Sequence, residues 1–284
     1  MKISIIGEKA RAATWEKHLR KLSVINEVTF TSSLASASDA DAVFLIDDSD
    51  AFLNNLYESV RSGYHTYLIS RLPVDPIMLE KIYASAQESG VVVQFSHWPS
   101  LSESVQWIHQ QIEKPDLIQI NRRTVPMNHR VIDIEDFDHH WIDEIALIVK
   151  WMGGNVHRYE IKPIRLGGMY AGISATLRFE NSSVANLQYV AASEYETHQR
   201  IFSNRLTMID ADVLKQTVRV HTVNDLGRIT LQKKTFDPTD TAERSVVQFI
   251  KAVQLNQWTL FSPYEALQTS KIIAKIRTLM SQNH

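Results

Sequence analysis

The chain has 284 residues, with 30 Lys and Arg against 32 Asp and Glu, a formal net charge of −2. That balance calls for no nucleic-acid partner, because duplexes are held mainly by cations on phosphate. Cysteine is absent, which excludes a disulfide scaffold, a thiolate zinc site and a cysteine nucleophile. At 44% hydrophobic and 22% charged, the chain can bury a sizeable core, and its length suits two domains or one large one. No apolar run reaches the roughly 18–20 residues of a membrane span, so no membrane partner is expected. Met1 to Ile6 reads as a strand rather than a basic region with a cleavable apolar stretch, and a cytoplasmic location is the expectation.

In chain order, Ile3-Ser4-Ile5-Ile6 ends at Gly7, and residues 9–22 place Ala12, Ala13, Trp15, Leu19 and Leu22 on one helical face. Val28–Thr31 reads as a second strand. The unbroken run Ala42-Val43-Phe44-Leu45-Ile46 suits a parallel strand buried on both faces. A helix near 51–62, the strand Thr66–Ile69, a helix near 75–88 and the run Val91–Phe95 come next. This alternation predicts right-handed βαβ crossovers and a doubly wound parallel sheet.

After a helix near 102–113 the pattern changes. Leu117–Arg123 alternates, and a helix over 139–152 stops at Gly153-Gly154. From there the signal is mainly strand: Tyr159–Ile164, Ala175–Phe179, Val184–Val190, Arg205–Ile209, Thr217–His221 and Arg228–Leu231. Glu180-Asn181-Ser182-Ser183 reads as a hairpin loop. Helices near 241–255 and 264–281 close the chain. The expectation is an α/β domain over 1–120 and an α+β domain over 121–284 with a large, mainly antiparallel sheet.

Several segments in this order resemble the glucose–fructose oxidoreductase/inositol dehydrogenase (Gfo/Idh/MocA) family. They are Lys2-Ile3-Ser4-Ile5-Ile6-Gly7; Asp41-Ala42-Val43-Phe44-Leu45-Ile46 for its third strand; and Gly63 to Pro73 for its "GKHVL-x-EKP" segment. Leu79–Phe95 with Pro99, Phe179-Glu180-Asn181 with Val184–Leu187, and Glu243–Ile250 with Trp258–Ala266 continue the likeness. The resemblance implies a Rossmann-like first domain that binds NAD or NADP, and a second domain whose exposed sheet face makes a homo-oligomer. It also implies hydride transfer to or from a small polar substrate such as a sugar or cyclitol derivative.

The positions that would carry this chemistry depart from the family. A dinucleotide needs a tight turn after the first strand and a helix N-terminus for its pyrophosphate. The turn here is Gly7-Glu8-Lys9-Ala10-Arg11-Ala12, with only the first glycine kept, in a chain whose nine glycines are about 3% of the residues against roughly 7% ordinarily. Lys9 would crowd the phosphate approach, yet Lys9 or Arg11 could neutralise a phosphate directly. Gly7 is also read as only the turn that ends a strand. The second strand ends in Thr31-Ser32-Ser33 rather than an acid, which favours NADP slightly. Asp47-Asp48 stands where the family has a loop over the nicotinamide ribose, and is read either as cofactor-proximal or as a cap for the next helix.

Arg71 occupies the position of the family's lysine, near the nicotinamide. It keeps the charge and binds carboxylates or oxyanions, but is unsuited to proton transfer. The family's pattern D-x-x-x-H-x-I-D is met by Asp136, His140, Ile142 and Asp143; helical spacing puts Asp136, His140 and Asp143 on one face, so the resemblance implies a carboxylate-held His140 as the proton donor and acceptor. A register one turn later puts His140 at the Asp position and Glu144 at the His position, and helix-start acids with a packed histidine remain an alternative. A metal bound by His139, His140 and Asp143 is disfavoured, since adjacent histidines point apart on a helix. His97 and Trp98, with Glu144 and Tyr170, are candidate substrate contacts. Trp98 is equally read as buried, and the Gly167–Gly172 run around Tyr170 as a flexible turn. A competing reading keeps the same body as a cofactor-free pseudoenzyme that acts in binding or assembly.

Overall fold

Five apolar segments pair in parallel: β1 (Lys2–Gly7), β2 (Glu27–Thr31), β3 (Ala42–Ile46), β4 (His65–Ile69) and β5 (Val93–Phe95). The computed structural model, which describes residues 1–37, 39–49, 51–125 and 134–282 without the side chains of 134–137, orders them β2-β1-β3-β4-β5. Every residue of β3 is buried, as its unbroken apolar run requires of a central strand covered on both faces.

Helices α1 (Lys9–Leu19), α2 (Phe52–Arg61) and α3 (Pro76–Ser89) connect these strands. Asp75 caps α3 by accepting from the Ile77 and Met78 N–H groups, each at 3.0 Å, and Gly90 ends it in the left-handed conformation. After the short α4 (Trp98–Leu101) come α5 (Glu103–Gln111), β6 (Leu117–Arg123) and α6 (Ile134–Met152). Seven further strands succeed them: β7 (Val156–Leu166), β8 (Met169–Phe179), β9 (Val184–Val190), β10 (Thr197–Ser203), β11 (Thr207–Asp212), β12 (Thr217–Val223) and β13 (Ile229–Thr235). Helices α7 (Thr241–Leu255) and α8 (Pro263–Gln282) complete the chain.

The second sheet has eight strands in the order β13-β12-β11-β10-β6-β9-β8-β7. It is antiparallel except for β6 beside β9, so it is mixed rather than uniformly antiparallel. The expected hairpin loop at 180–183 joins β8 to β9. Only Gly167 and Gly168 form the turn before β8. Tyr170 and Gly172 already lie within that strand, so the run is not one flexible turn. Strand β10 had no counterpart in the sequence reading.

The chain divides into two compact units, Met1–Leu101 with Thr239–Lys271, and Ser102–Pro238 with Ile272–His284. The first therefore takes back a late segment that the sequence reading counted with the second half. The reason is packing: Val246, Phe249, Ile250 and Ala252 of α7 join Ile3, Ile5, Phe44, Tyr67 and Trp15 in one buried cluster. Phe249 meets Phe44 and Tyr67 with ring centroids 5.5 Å apart in each case. In the second unit α6 packs on β8 and β9, with Trp141, Ile145 and Ile148 fully buried. No helix among the described residues is long and apolar enough to cross a membrane.

Candidate functional site

Strand β1 has β2 on one side and β3 on the other, so the carboxyl ends of β1 and β3 flank the point where the chain reverses its direction of growth. Open α/β sheets bind ligands at such a point. Gly7 ends β1 with φ +147°, and a Cβ there would stand 2.4 Å from the Ile46 carbonyl oxygen of β3. The close approach of the two strand ends thus requires glycine whatever lies beyond them.

Helix α1 starts two residues later, at Lys9. Glu8 precedes it without a side-chain cap, and the first intrahelical bond runs from the Ala12 N–H to the Glu8 carbonyl at 2.9 Å. The N–H groups of Lys9, Ala10 and Arg11 come before that bond, and the helix dipole adds positive potential there. Lys9 and Ala10 are exposed. Arg11 is ion-paired with Asp48, which also accepts from the Ser70 hydroxyl at 3.2 Å, so the first turn of α1 is tied to the loops after β3 and β4. Asp47 accepts from the Ser49 N–H at 2.8 Å and from Asn55 Nδ2 at 2.7 Å. Burial opposes its ionisation, but these hydrogen bonds and the Arg11 charge hold its carboxyl below the usual range.

The helix-cap reading of Asp47-Asp48 is therefore corrected. The residue before α2 is Ala51, and no side chain caps it. One carboxylate folds its own loop, and the other holds Arg11. Ser32 is exposed beyond β2. Arg71 is exposed, with its guanidinium 6.0 Å from the Phe52 ring centroid. His97 is fully buried, its Nδ1 2.7 Å from the Ser100 hydroxyl and its ring 4.5 Å from that of Phe261. Its surroundings give it a packing role rather than the expected substrate contact. Trp98 is not buried: it is 42% exposed and stacks on Trp15 with centroids 6.1 Å apart.

In the second unit, β6 and α6 bring together Arg122 and His140. Arg122 Nη1 donates to the His140 carbonyl at 2.9 Å, and Nη2 lies 2.9 Å from His140 Nδ1. The Tyr189 ring of β9 lies 5.6 Å from the imidazole, and its hydroxyl is 3.1 Å from Thr124 Oγ1. The side chain of Asp136 lies outside the described residues. Asp138, two residues before His140, instead accepts from Trp141 Nε1 at 3.0 Å and from Arg277 Nη2 at 2.6 Å.

Glu144, a candidate substrate contact, is 1% exposed. It takes Arg200 Nε and Nη2 at 2.8 and 2.6 Å and meets His198 Nε2 at 2.9 Å. Burial opposes its charge, but Arg200 and then His198 hold its pKa well below 4.5. That correction has a plain cause: a carboxylate so engaged on both oxygens is a structural ion, not a contact for ligand. Asp143, one residue before, is half-buried. Burial and the Glu144 charge push its pKa up to about 7 against the opposing pull of Arg122 and Arg200.

A proton that the folded chain keeps between pH 3.8 and about 7 makes Asp143 stabilising in acid, with that contribution lost as pH rises through 7. Asp143→Asn is accordingly expected to be more stable than the parent at pH 8.5 and no more stable at pH 4, as urea midpoints at the two values will show. Tyr170 sits under Arg165, whose guanidinium is 4.8 Å from its ring, and accepts from Arg165 Nη2 at 3.3 Å. Among the described residues no group of three His, Cys, Asp or Glu side chains is placed to share a metal ion.

No protein-family model matches the chain, and no curated protein matches it. Solved structures do. A UDP-N-acetylglucosamine 3-dehydrogenase from Acidithiobacillus ferrooxidans superposes with a TM-score of 0.83 at 14% identity, over 99% of this chain and 97% of that one. The fold is that of Gfo/Idh/MocA-type dehydrogenases. An NAD binding oxidoreductase from Klebsiella pneumoniae (TM-score 0.82, 10% identity, 100% and 97% covered) and a dehydrogenase from Chromobacterium violaceum (0.80, 14%, 100% and 96%) share it.

Against that fold, the sequence reading missed Arg122, Tyr189, His198 and Arg200. Strand alternation carried a signal for the first. Ile118, Ile120 and Arg122 share one face of β6, and the first two are fully buried, so Arg122 is an inward-directed cation. His198, Arg200 and Phe202 repeat the pattern on β10.

Proposed function

We propose that the chain is an oxidoreductase that uses a nicotinamide dinucleotide and acts on a small polar, sugar- or cyclitol-like substrate. The observation that carries this reading is the start of α1, three N–H groups without a side-chain cap at the chain-reversal point of the first sheet. Dinucleotide pyrophosphate is stabilised by such a helix start. The residues suited to hold the coenzyme are Gly7, Lys9, Ala10 and Arg11 on the phosphate side and Ser32 at the adenosine ribose. Asp47 and Arg71 are assigned to the nicotinamide side. Lys9 stands in place of a glycine but is exposed, so its cation is available to a phosphate. Ser32, with no acid beside it at the strand end, supports NADP over NAD.

The coenzyme, when bound, supplies or accepts hydride. The protein's share is to orient the substrate and to move a proton. Arg71 provides a fixed positive charge for an oxyanion or carboxylate. His140 presents an imidazole to the substrate oxygen, and Asp143, whose carboxyl exchanges its proton near pH 7, is the acid–base group. Titration of NADH and NADPH against the fluorescence of the six tryptophans tests the reading. Saturable energy transfer is expected, weakened by Lys9→Glu. No binding at millimolar coenzyme would leave the pseudoenzyme reading, which the Asp48–Arg11 pair favours because it spends one of the two cations. Unchanged affinity in Lys9→Glu would remove the first turn from the phosphate contact.

The partner proposed for the eight-stranded sheet is a second copy of the chain. On the face opposite Ile209, Val218 and Val220, the strands carry the exposed Met208 (45%), Leu231 (60%) and Ile229 (75%), an apolar border to a row of amides. Sedimentation velocity is expected to give a dimer or larger species that Leu231→Glu weakens.

A further inference from the structure

His140 is held by a group that has hydrogen bonds to give and none to accept. A guanidinium carries five N–H donors, has no lone pair to offer and keeps its charge throughout the accessible pH range. Arg122 Nη1 donates to the His140 carbonyl at 2.9 Å, and Nη2 stands 2.9 Å from Nδ1 of the same residue. The second contact is a hydrogen bond only if Nδ1 accepts. A proton on Nδ1, in the other neutral tautomer or in the imidazolium, would set N–H against N–H at that distance.

We infer that Arg122 is a positioning residue that locks His140 as the neutral tautomer protonated on Nε2. The fork geometry makes the lock specific, because the carbonyl contact fixes the guanidinium to the turn of α6 that carries the ring. The Tyr189 ring, fully buried and 5.6 Å from the imidazole, sets the ring from another side.

The chemical use of this lock rests on the oxidoreductase reading. With Nδ1 accepting from Arg122 and Nε2 carrying the proton, the ring can only donate at Nε2 and has no lone pair left to take a proton from a hydroxyl. In the reducing direction hydride adds to the carbonyl carbon, the C=O π pair moves to oxygen, and a proton must reach that oxygen. A ring locked in this tautomer does not supply it, since loss of the Nε2 proton would leave an imidazolate; the oxidoreductase reading assigns that proton to Asp143.

The test reads the tautomer and needs neither coenzyme nor substrate. Long-range proton–nitrogen correlation spectra are recorded near neutral pH on the full chain labelled with 15N-histidine, and the His140 signals are assigned by their loss in His140→Gln. The expected pattern has an acceptor-type Nδ1 and a protonated Nε2, and in Arg122→Gln it shifts toward a tautomer mixture. A proton on Nδ1 in the parent chain overturns the inference, and that spectrum decides even if Arg122→Gln fails to fold. An unchanged pattern in a folded Arg122→Gln, judged by circular dichroism, overturns it as well. Failure here would leave coenzyme binding untouched, while absent coenzyme binding would leave the tautomer assignment standing.

Discussion

Arg200→Ala is expected to lower the unfolding free energy by about 3–5 kcal/mol, the cost of leaving a buried carboxylate without its main partner. Glu144 is 1% exposed, and two of its three close contacts come from that guanidinium. His198 cannot replace it, since burial, the larger influence, lowers the pKa of the imidazole and favours its neutral form. The double variant Glu144→Leu/Arg200→Met should lose much less, because an apolar pair of similar volume leaves no stranded charge. Urea denaturation of the parent, the single and the double variant makes the comparison. Equal losses in both variants would mean that packing rather than charge sets the cost.

The acid limb of stability arises from the same carboxylate. Its folded pKa lies well below the ordinary 4.5, so its contribution is complete above that value and is lost as pH falls toward the folded value. The parent chain should therefore lose stability below pH 4.5 more steeply than the double variant.

His140→Ala is expected to cut kcat by about 10²–10³-fold, the usual worth of a preorganised hydrogen-bond donor to a developing oxyanion, while the dissociation constant for NADH or NADPH stays within about twofold of the parent. Steady-state kinetics with the best substrate from a screen of polyols and keto-sugars, together with a coenzyme titration, separate the two effects. A fully active variant would remove His140 from the chemistry. Weakened coenzyme binding would mean that the variant disturbs more than its contact with the substrate oxygen.

The doubly wound sheet was legible because its central strands are buried on both faces, so β3 appears in the sequence as five consecutive apolar residues. The helices were legible from their punctuation, as with Asp75, Pro76 and Gly90 around α3. Strand β10 was not. Its inward positions are His198, Arg200 and Phe202, two of them polar because they neutralise Glu144 on α6, so a hydrophobic alternation is missing where the strand is best buried. The candidate site was legible as residue types but not as partnerships. His140 was found from its match to the family's D-x-x-x-H-x-I-D pattern, whereas Arg122, eighteen residues earlier, is tied to it only by the packing of a helix on a sheet. Glu144 and Asp143 are neighbours in sequence, yet one is a fixed anion and the other holds its proton to about pH 7. Position relative to Arg200 separates them, and no local pattern encodes that.

The return of α7 to the first sheet also orders events during synthesis. The side chains of Phe44, Tyr67 and Trp15 await Val246, Phe249 and Ile250, so a nascent chain that has finished all five parallel strands still shows the ribosome an uncovered aromatic floor. Roughly half of the polypeptide, including the whole eight-stranded sheet, must emerge before that floor is roofed. The earliest-made part of the molecule is thus among the last to be sealed, which makes the interval before residue 250 the period of greatest exposure to chaperones and to aggregation.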